Sequence, residues 1–242
     1  MQSFNFETIG IVHSCYSEKF GIPRQPGLID AAEATLELLP PFNRPEAVKG
    51  LEQFSHIWIS FIFHGIERQE WKPTVRPPRL GGNQRIGVFA SRSTHRPNPL
   101  GLSVVSLAGI ECRAGHVVLH LQGADLLDGT PVVDIKPYIP YVDSIPEARA
   151  GYAAEPPMAP LQVIFSEEST EVCLREQERY PQLARLIGEI LAQDPRPAYQ
   201  AENDAGREYG VRLYDLNIRF RIESGVAEVI TIEATGSEHS AG

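Results

Sequence analysis

Ile57-Trp58-Ile59-Ser60-Phe61-Ile62-Phe63 is a run of β-branched, aromatic and aliphatic side chains interrupted only by Ser60. It is too short for a buried helix and rich in residues that suit a pleated, packed surface, so it reads as a buried strand. On either side the pattern recurs. Phe4 to Ser14, Ile86 to Ala90, Ser103 to Ile110, Val117 to Leu121 and Val132 to Ile135 are further short strands, and the segments between them carry Gly, Asn, Pro or Asp. Many short strands with turn signals predict a mainly β fold, a small antiparallel β-barrel. No alternation of strand and helix is present, and Leu80-Gly81-Gly82 lacks the GxGxxG spacing, so a Rossmann cofactor domain is not expected.

The composition changes near residue 145. Pro146 to Pro160 is rich in Ala and Pro and reads as a linker. The expected organisation is a barrel over residues 4–145, a linker over 146–160, a smaller α/β C-terminal domain over 161–235 and a flexible tail over 236–242. In the second domain Leu161 to Phe165 is a strand and Ser169 to Gln193 is helical, interrupted by Pro181. Leu183, Leu186, Ile187, Ile190 and Leu191 keep the 3.6-residue spacing of an amphipathic helix. Val211 to Ile222 and Val226 to Ala234 read as a hairpin about Ser224-Gly225.

With 42% hydrophobic and 22% charged residues in 242, the chain has an ordinary globular composition. No apolar run approaches the roughly 20 residues that span a bilayer, and Met1 to Phe6 does not look like a signal peptide. Cys15, Cys112 and Cys173 are far apart and odd in number. They suggest neither a disulfide framework nor a CxxC zinc pair, and a reduced cytoplasm is the natural setting. The net charge of −9 argues against simple nucleic-acid binding, yet Arg68 to Arg96 holds seven basic residues and one acid, Glu70. That segment fits either a polyanion-binding face or a solvated loop paired with the acidic remainder.

The densest chemistry lies in Gly87 to Gly101, where Ser91-Arg92-Ser93-Thr94-His95-Arg96 is followed by Pro97-Asn98-Pro99. Prolines hold such a loop in shape at low ordering cost, and arginine forks suit phosphate or carboxylate. Gly21-Ile22-Pro23-Arg24-Gln25-Pro26-Gly27 is a second proline-fixed polar loop, and Asp194-Pro195-Arg196-Pro197-Ala198-Tyr199 a third. Asp125-Leu126-Leu127-Asp128-Gly129 reads as a tight turn whose carboxylates could bind ribose hydroxyls or an ammonium group, or could serve the turn itself. Asp134 and Lys136 share one strand face, as an ion pair would. His56 and His64 sit too far apart along a strand to ligate one metal, and no HxH or HExxH motif or acidic cluster suggests a metal site. The residues by themselves therefore indicate a small barrel whose rigid polar loops, one strongly basic, bind an anionic ligand.

Taken together, Ile9 to Ser14, Lys19 to Gly27, Leu51 to Trp58, Gly87 to Gly101, Asp128 to Tyr138 and Asp194 to Tyr199 resemble the TsaA-like (TrmO) family over nearly the whole chain. The resemblance implies a β-barrel methyltransferase with a compact C-terminal domain. It implies binding of S-adenosylmethionine at a homodimer interface and methylation of N6 of N6-threonylcarbamoyladenosine beside the tRNA anticodon. By position it assigns the cofactor to Pro23, Arg24, Gln25, His64, Gly65, Arg92 and Leu102 and to the turn Asp125, Leu126, Leu127 and Asp128; for Gly65 only a backbone role transfers. On that reading Asp194 or Tyr199 accepts the N6 proton or holds the threonylcarbamoyl arm. Arg92, Arg96, Lys136 and Arg196 anchor phosphate or carboxylate, and the basic stretch with Arg76, Arg79 and Arg85 faces tRNA. The competing expectations are a non-catalytic tRNA-binding module and a methyltransferase of an anionic small molecule.

Overall fold

The computed structural model of the protein describes residues 3–65, 71–155, 161–196 and 206–235. Strand β1 (Gly10–Ser14) is followed by β2 (Glu33–Leu38) and β3 (His56–Ile62). A long loop then carries two two-residue strands, β4 (Thr74–Val75) and β5 (Ile86–Gly87), before β6 (Leu100–Arg113), β7 (His116–Gln122) and β8 (Thr130–Pro137). Six of these close into a barrel in the order β1-β2-β7-β6-β3-β8. Every neighbouring pair is antiparallel.

Period-two alternation fills the barrel. Ile57, Ile59 and Phe61 of β3 are buried while Trp58, Ser60 and Ile62 are not, and Val12, Leu36, Val105, Leu119 and Val132 meet the first three from the other strands. The interior is thus a packed core and not a channel, as expected for a barrel of this size. Each fully buried Ile or Leu contributes roughly 1.5–3 kcal/mol. Between β6 and β3 the packing leaves no slack: a Cβ on Gly101 would lie 2.2 Å from the Phe61 ring.

Past the barrel come a single turn of helix α1 (Pro140–Asp143), strand β9 (Gln162–Phe165), helices α2 (Glu167–Arg175) and α3 (Leu183–Ala192), and strands β10 (Glu208–Leu213), β11 (Leu216–Glu223) and β12 (Val226–Ala234). Ser166 caps α2 by accepting the Ser169 N–H at 3.1 Å. The sheet order is β10-β11-β12-β9, with β9 parallel to β12. The expected hairpin is therefore a three-stranded meander, because Tyr214 adopts φ 55° and turns the chain between Leu213 and Leu216. Two other local expectations change. The first strand begins at Gly10 and not Phe4, and Val88–Ala90 forms a 3-10 turn where a strand was expected.

The chain between β1 and β2, residues 15–32, leaves the barrel and joins the second core. Cys15, Tyr16, Ile29, Ala31 and Ala32 are buried together with Leu186, Ile190, Val211, Leu213 and Phe220.

Candidate active site

Strand direction gathers the site. The connections 15–32 after β1, 63–99 after β3 and 123–129 after β7 all emerge at the same end of the barrel, because Ser14 lies opposite Ala34, Ile62 opposite Leu100 and Glu33 opposite Gln122. A cavity of about 520 Å³ opens where they meet. Its wall takes Pro23, Arg24 and Gln25 from the first connection, His64, Gly65 and Arg92 from the second, and Asp125, Leu126 and Leu127 from the third, with Leu102 from β6.

Contacts between the loops shape the wall. Arg92 donates from Nη1 to Oε1 of Gln25, tying the second connection to the first. Arg96 also lines the cavity, but its Nη1 donates to the Ser91 carbonyl at 2.7 Å and the Val88 carbonyl at 3.3 Å, so it holds its own loop in shape. Gly65 is closely approached: a Cβ there would come within 2.7 Å of Leu127 Cδ2 and 3.1 Å of Lys19 Cε, so those side chains would have to shift. Thr130 donates to the Leu127 carbonyl at 2.6 Å and lies 3.5 Å from His64 Nδ1, which fixes the turn against the end of β3.

The electrostatics of the cavity are unbalanced. Lys19, Arg24, Arg92 and Arg96 bring positive charge, and Asp125 is the carboxyl group among the described lining residues. Ser103, itself only 3% exposed, donates to Asp125 Oδ1 at 2.8 Å. Burial pushes the Asp125 carboxyl above the ordinary carboxylate range, and the Ser103 hydrogen bond and the Arg92 charge offset only part of that. A carboxylate held in this way favours a positively charged ligand group, which would restore the solvation it has lost.

Several expected residues lie elsewhere. Asp128 does not line the cavity. Its Oδ1 accepts the Ser14 N–H at 3.0 Å and sits 3.9 Å from His13 Nδ1, so it serves the turn and strand end. Asp194 is outside the cavity wall, and its carboxylate receives Arg196 Nε and Nη2 at 2.8 Å each. Arg196 is itself only 8% exposed and has that carboxylate as a partner. Tyr199 lies outside the described residues. Lys136 contacts Asp134 beside it, as the ion-pair alternative has it. Arg76, Arg79 and Arg85 are exposed and do not line the cavity: Arg79 donates to the Glu155 carbonyl, and Arg85 to Thr74 Oγ1 at 3.2 Å.

Sequence reasoning missed Lys19, Trp58, Ser103 and Thr130, all of which line the cavity. Ser103 had a signal. It occupies the inward phase of β6 with Gly101 and Val105, where a lone hydroxyl needs a buried partner. Trp58 occupies the outward phase of β3, and its Nε1 donates to Asp143 Oδ2 at 3.1 Å, which fastens α1 beside the cavity. Among the described residues no three His, Cys, Asp or Glu side chains form a group that could hold a metal ion. No helix among them is long and apolar enough to cross a membrane.

Comparison with known proteins agrees with this architecture across both parts of the chain. The tRNA-methyltransferase O N-terminal domain model matches residues 11–144, and the TrmO C-terminal domain model matches residues 158–235. A tRNA (adenine(37)-N6)-methyltransferase of Escherichia coli is 52% identical over 233 residues, covering 96% of this chain and 99% of its own. A Pseudomonas aeruginosa protein, provisionally described as an S-adenosylmethionine-dependent methyltransferase, is 54% identical over 213 residues, 88% of this chain and 90% of its own. The crystal structure of TrmO from that organism superposes with a TM-score of 0.80 at 44% identity, covering 97% of this chain and 98% of that one. Matched in sequence from end to end and in fold over nearly its whole length, the chain belongs to the tRNA-methyltransferase O family.

Proposed function

We propose that this chain transfers the methyl group of S-adenosylmethionine to N6 of adenine 37 in tRNA, acting on the adenine that already carries a threonylcarbamoyl group. The observation that carries the reading is the convergence of three barrel-end connections on one cavity lined by four cationic side chains and one half-buried carboxyl group. The activity named for the Escherichia coli relative, at 52% identity, supports the reaction class.

The residues present fit the donor. A 520 Å³ cavity lies within the range of ~300–1,000 Å³ usual for ligands of this size. Asp125 offers negative charge for the sulfonium or ammonium, and Arg24 and Arg92 offer guanidinium forks for a carboxylate. When bound, the donor supplies a methyl group already activated by the sulfonium charge. The protein's contribution is then placement, in which proline-stiffened loops fix donor and acceptor at low entropic cost. Asp125 is assigned the positive charge of the donor and not the N6 proton, because it is buried against Ser103. The N6 proton is assigned to water, because Asp125 is the one carboxyl group among the described lining residues.

The RNA face is assigned to the β4–β5 hairpin. Arg76, Arg79 and Arg85 are exposed there. Trp71 and Phe89, 51% and 73% exposed, flank the point where the Val88 N–H donates to the Pro73 carbonyl. Cations interleaved with exposed aromatics suit phosphates and unstacked bases of a single-stranded loop. A homodimer is supported by apolar residues exposed near the cavity: Leu102 is 57% exposed, and Tyr141, Val142 and Ile145 stand on or just after α1, which Asp143 ties to Trp58. With tRNA as its substrate, the chain is proposed to work in the cytoplasm.

Titration calorimetry with S-adenosylmethionine tests the site directly. The wild type should bind one equivalent per cavity, and Arg92→Ala should weaken binding about tenfold or more, the loss of one charge-assisted hydrogen bond of ~1.5–3 kcal/mol. Equal affinity in both proteins removes Arg92 from the donor site.

A further inference from the structure

The connection that carries Pro23, Arg24 and Gln25 is fastened at both limbs to the C-terminal domain, although its tip belongs to the barrel's cavity. On the outgoing limb the Tyr214 N–H donates to the Cys15 carbonyl at 2.7 Å, Tyr16 forms a β-bridge with Leu213, and the Arg212 N–H donates to Glu18 Oε1 at 2.8 Å. At Gly21, φ is +89° and a Cβ would lie 2.5 Å from Val211 Cγ2, so the chain rests directly on β10 as it turns toward the cavity.

On the returning limb Ile29, Ala31 and Ala32 are buried in the C-terminal core, and one side chain adds a polar tie. Glu189 of α3 accepts the Ala31 N–H at Oε2, 2.9 Å away, across 158 residues of sequence. Its Oε1 accepts Arg185 Nε at 2.7 Å, and Arg185 Nη2 lies 3.8 Å from Asp30. The barrel holds the same limb through uncharged groups: the Gly27 N–H donates to the Gly123 carbonyl at 2.8 Å, the Gly123 N–H to the Ala32 carbonyl at 2.9 Å, and Gln122 Nε2 to the Asp30 carbonyl at 3.1 Å. Glu189 is 27% exposed at the side chain and does not itself line the cavity.

We infer that Glu189 is a positioning residue for the methyl-donor site: through Ala31 it sets the placement of the Pro23-Arg24-Gln25 tip, so the C-terminal domain tunes donor affinity without contacting the donor. The inference rests on the reading of the cavity as the donor site. Truncating the carboxylate frees the Ala31 N–H and loosens the limb. The Gln25 to Arg92 hydrogen bond across the mouth then forms less often, which is a loss of preorganisation.

Steady-state kinetics of Glu189→Ala, Glu189→Gln and wild type with tRNA, together with thermal melts, test this. The expected result is a donor KM raised about fivefold to tenfold in Glu189→Ala, with kcat and the tRNA KM within twofold of wild type. Glu189→Gln, whose amide oxygen still accepts the Ala31 N–H, recovers most of the loss. Should Glu189→Ala not fold, Arg185→Ala, altered at a half-exposed side chain, carries the test with a smaller rise of two- to threefold in donor KM. A donor KM at the wild-type value in these variants overturns the inference while leaving the activity intact. A fall in kcat that only tracks the folded fraction overturns it as well. Absence of methyl transfer by the wild type refutes the proposed function instead.

Discussion

Asp125 is the residue of the proposed donor site with the clearest consequence for stability. Burial raises its folded pKa, so its stability contribution is complete below the ordinary carboxylate range and is lost as pH rises through the raised value. At neutral pH the ionised group is a cost to the fold. Asp125→Asn keeps an oxygen for the Ser103 hydroxyl and should therefore raise the melting temperature at neutral pH, by a gain of ~0.5–2 kcal/mol, as relieved functional sites commonly give. The same variant should weaken donor binding by about 30-fold or more, which is the order of 2 kcal/mol lost when one partner of a buried charge pair is removed. Calorimetry and thermal melts on one preparation check both signs. In the wild type, donor affinity should rise with pH through the raised Asp125 value and then level off, and in Asp125→Asn it should stay weak and flat. A wild-type affinity independent of pH across the acidic range would take the donor's charge away from Asp125.

At the scale of elements, what the sequence discloses depends on whether local preference and tertiary role agree. The run Ile57 to Phe63 is β-prone and becomes β3, and the 3.6-residue spacing from Leu183 to Leu191 becomes α3. Strand β2 is the opposite case. Glu33-Ala34-Thr35-Leu36-Glu37-Leu38 is built largely from strong helix formers, and only pairing with β1 and β7 makes it a strand. The site follows the same logic. Rigid polar loops can be read from Pro and Gly, but their convergence on one barrel end follows from the six-strand order, which residue patterns do not contain. Asp128 and Arg196, read from the sequence as ligand groups, have partners within the chain that the sequence does not disclose, Ser14 and Asp194.

Two predictions belong to the elements. Gly101→Ala drives a methyl group into Phe61 where β6 meets β3 and should destabilise the barrel by ~1–3 kcal/mol in denaturant unfolding. Replacing Arg76 and Arg85 together by Ala should weaken tRNA binding and make log K against log[salt] shallower by ~0.7–0.9 for each phosphate that is no longer neutralised, with donor affinity unchanged. An unchanged salt slope would assign those two arginines to solvent.

The whole molecule consists of two cores joined by one connection that belongs to both. Residues 15–32 start and end in the barrel, bury Cys15, Tyr16 and Ile29 among C-terminal side chains, and present Arg24 to the cavity. Assembly adds a further level. If two copies cover the apolar residues near the cavity mouth, Tyr141→Glu should shift sedimentation from dimer to monomer and leave the barrel folded. Methyl transfer to the modified adenine can be read from the product itself. The protein is incubated with S-adenosylmethionine and tRNA that carries or lacks threonylcarbamoyladenosine, and the digested nucleosides are then weighed by mass spectrometry. One methyl group is expected, on threonylcarbamoyladenosine from the modified tRNA only; equal methylation of both tRNAs, or none of either, rules out the proposed reaction.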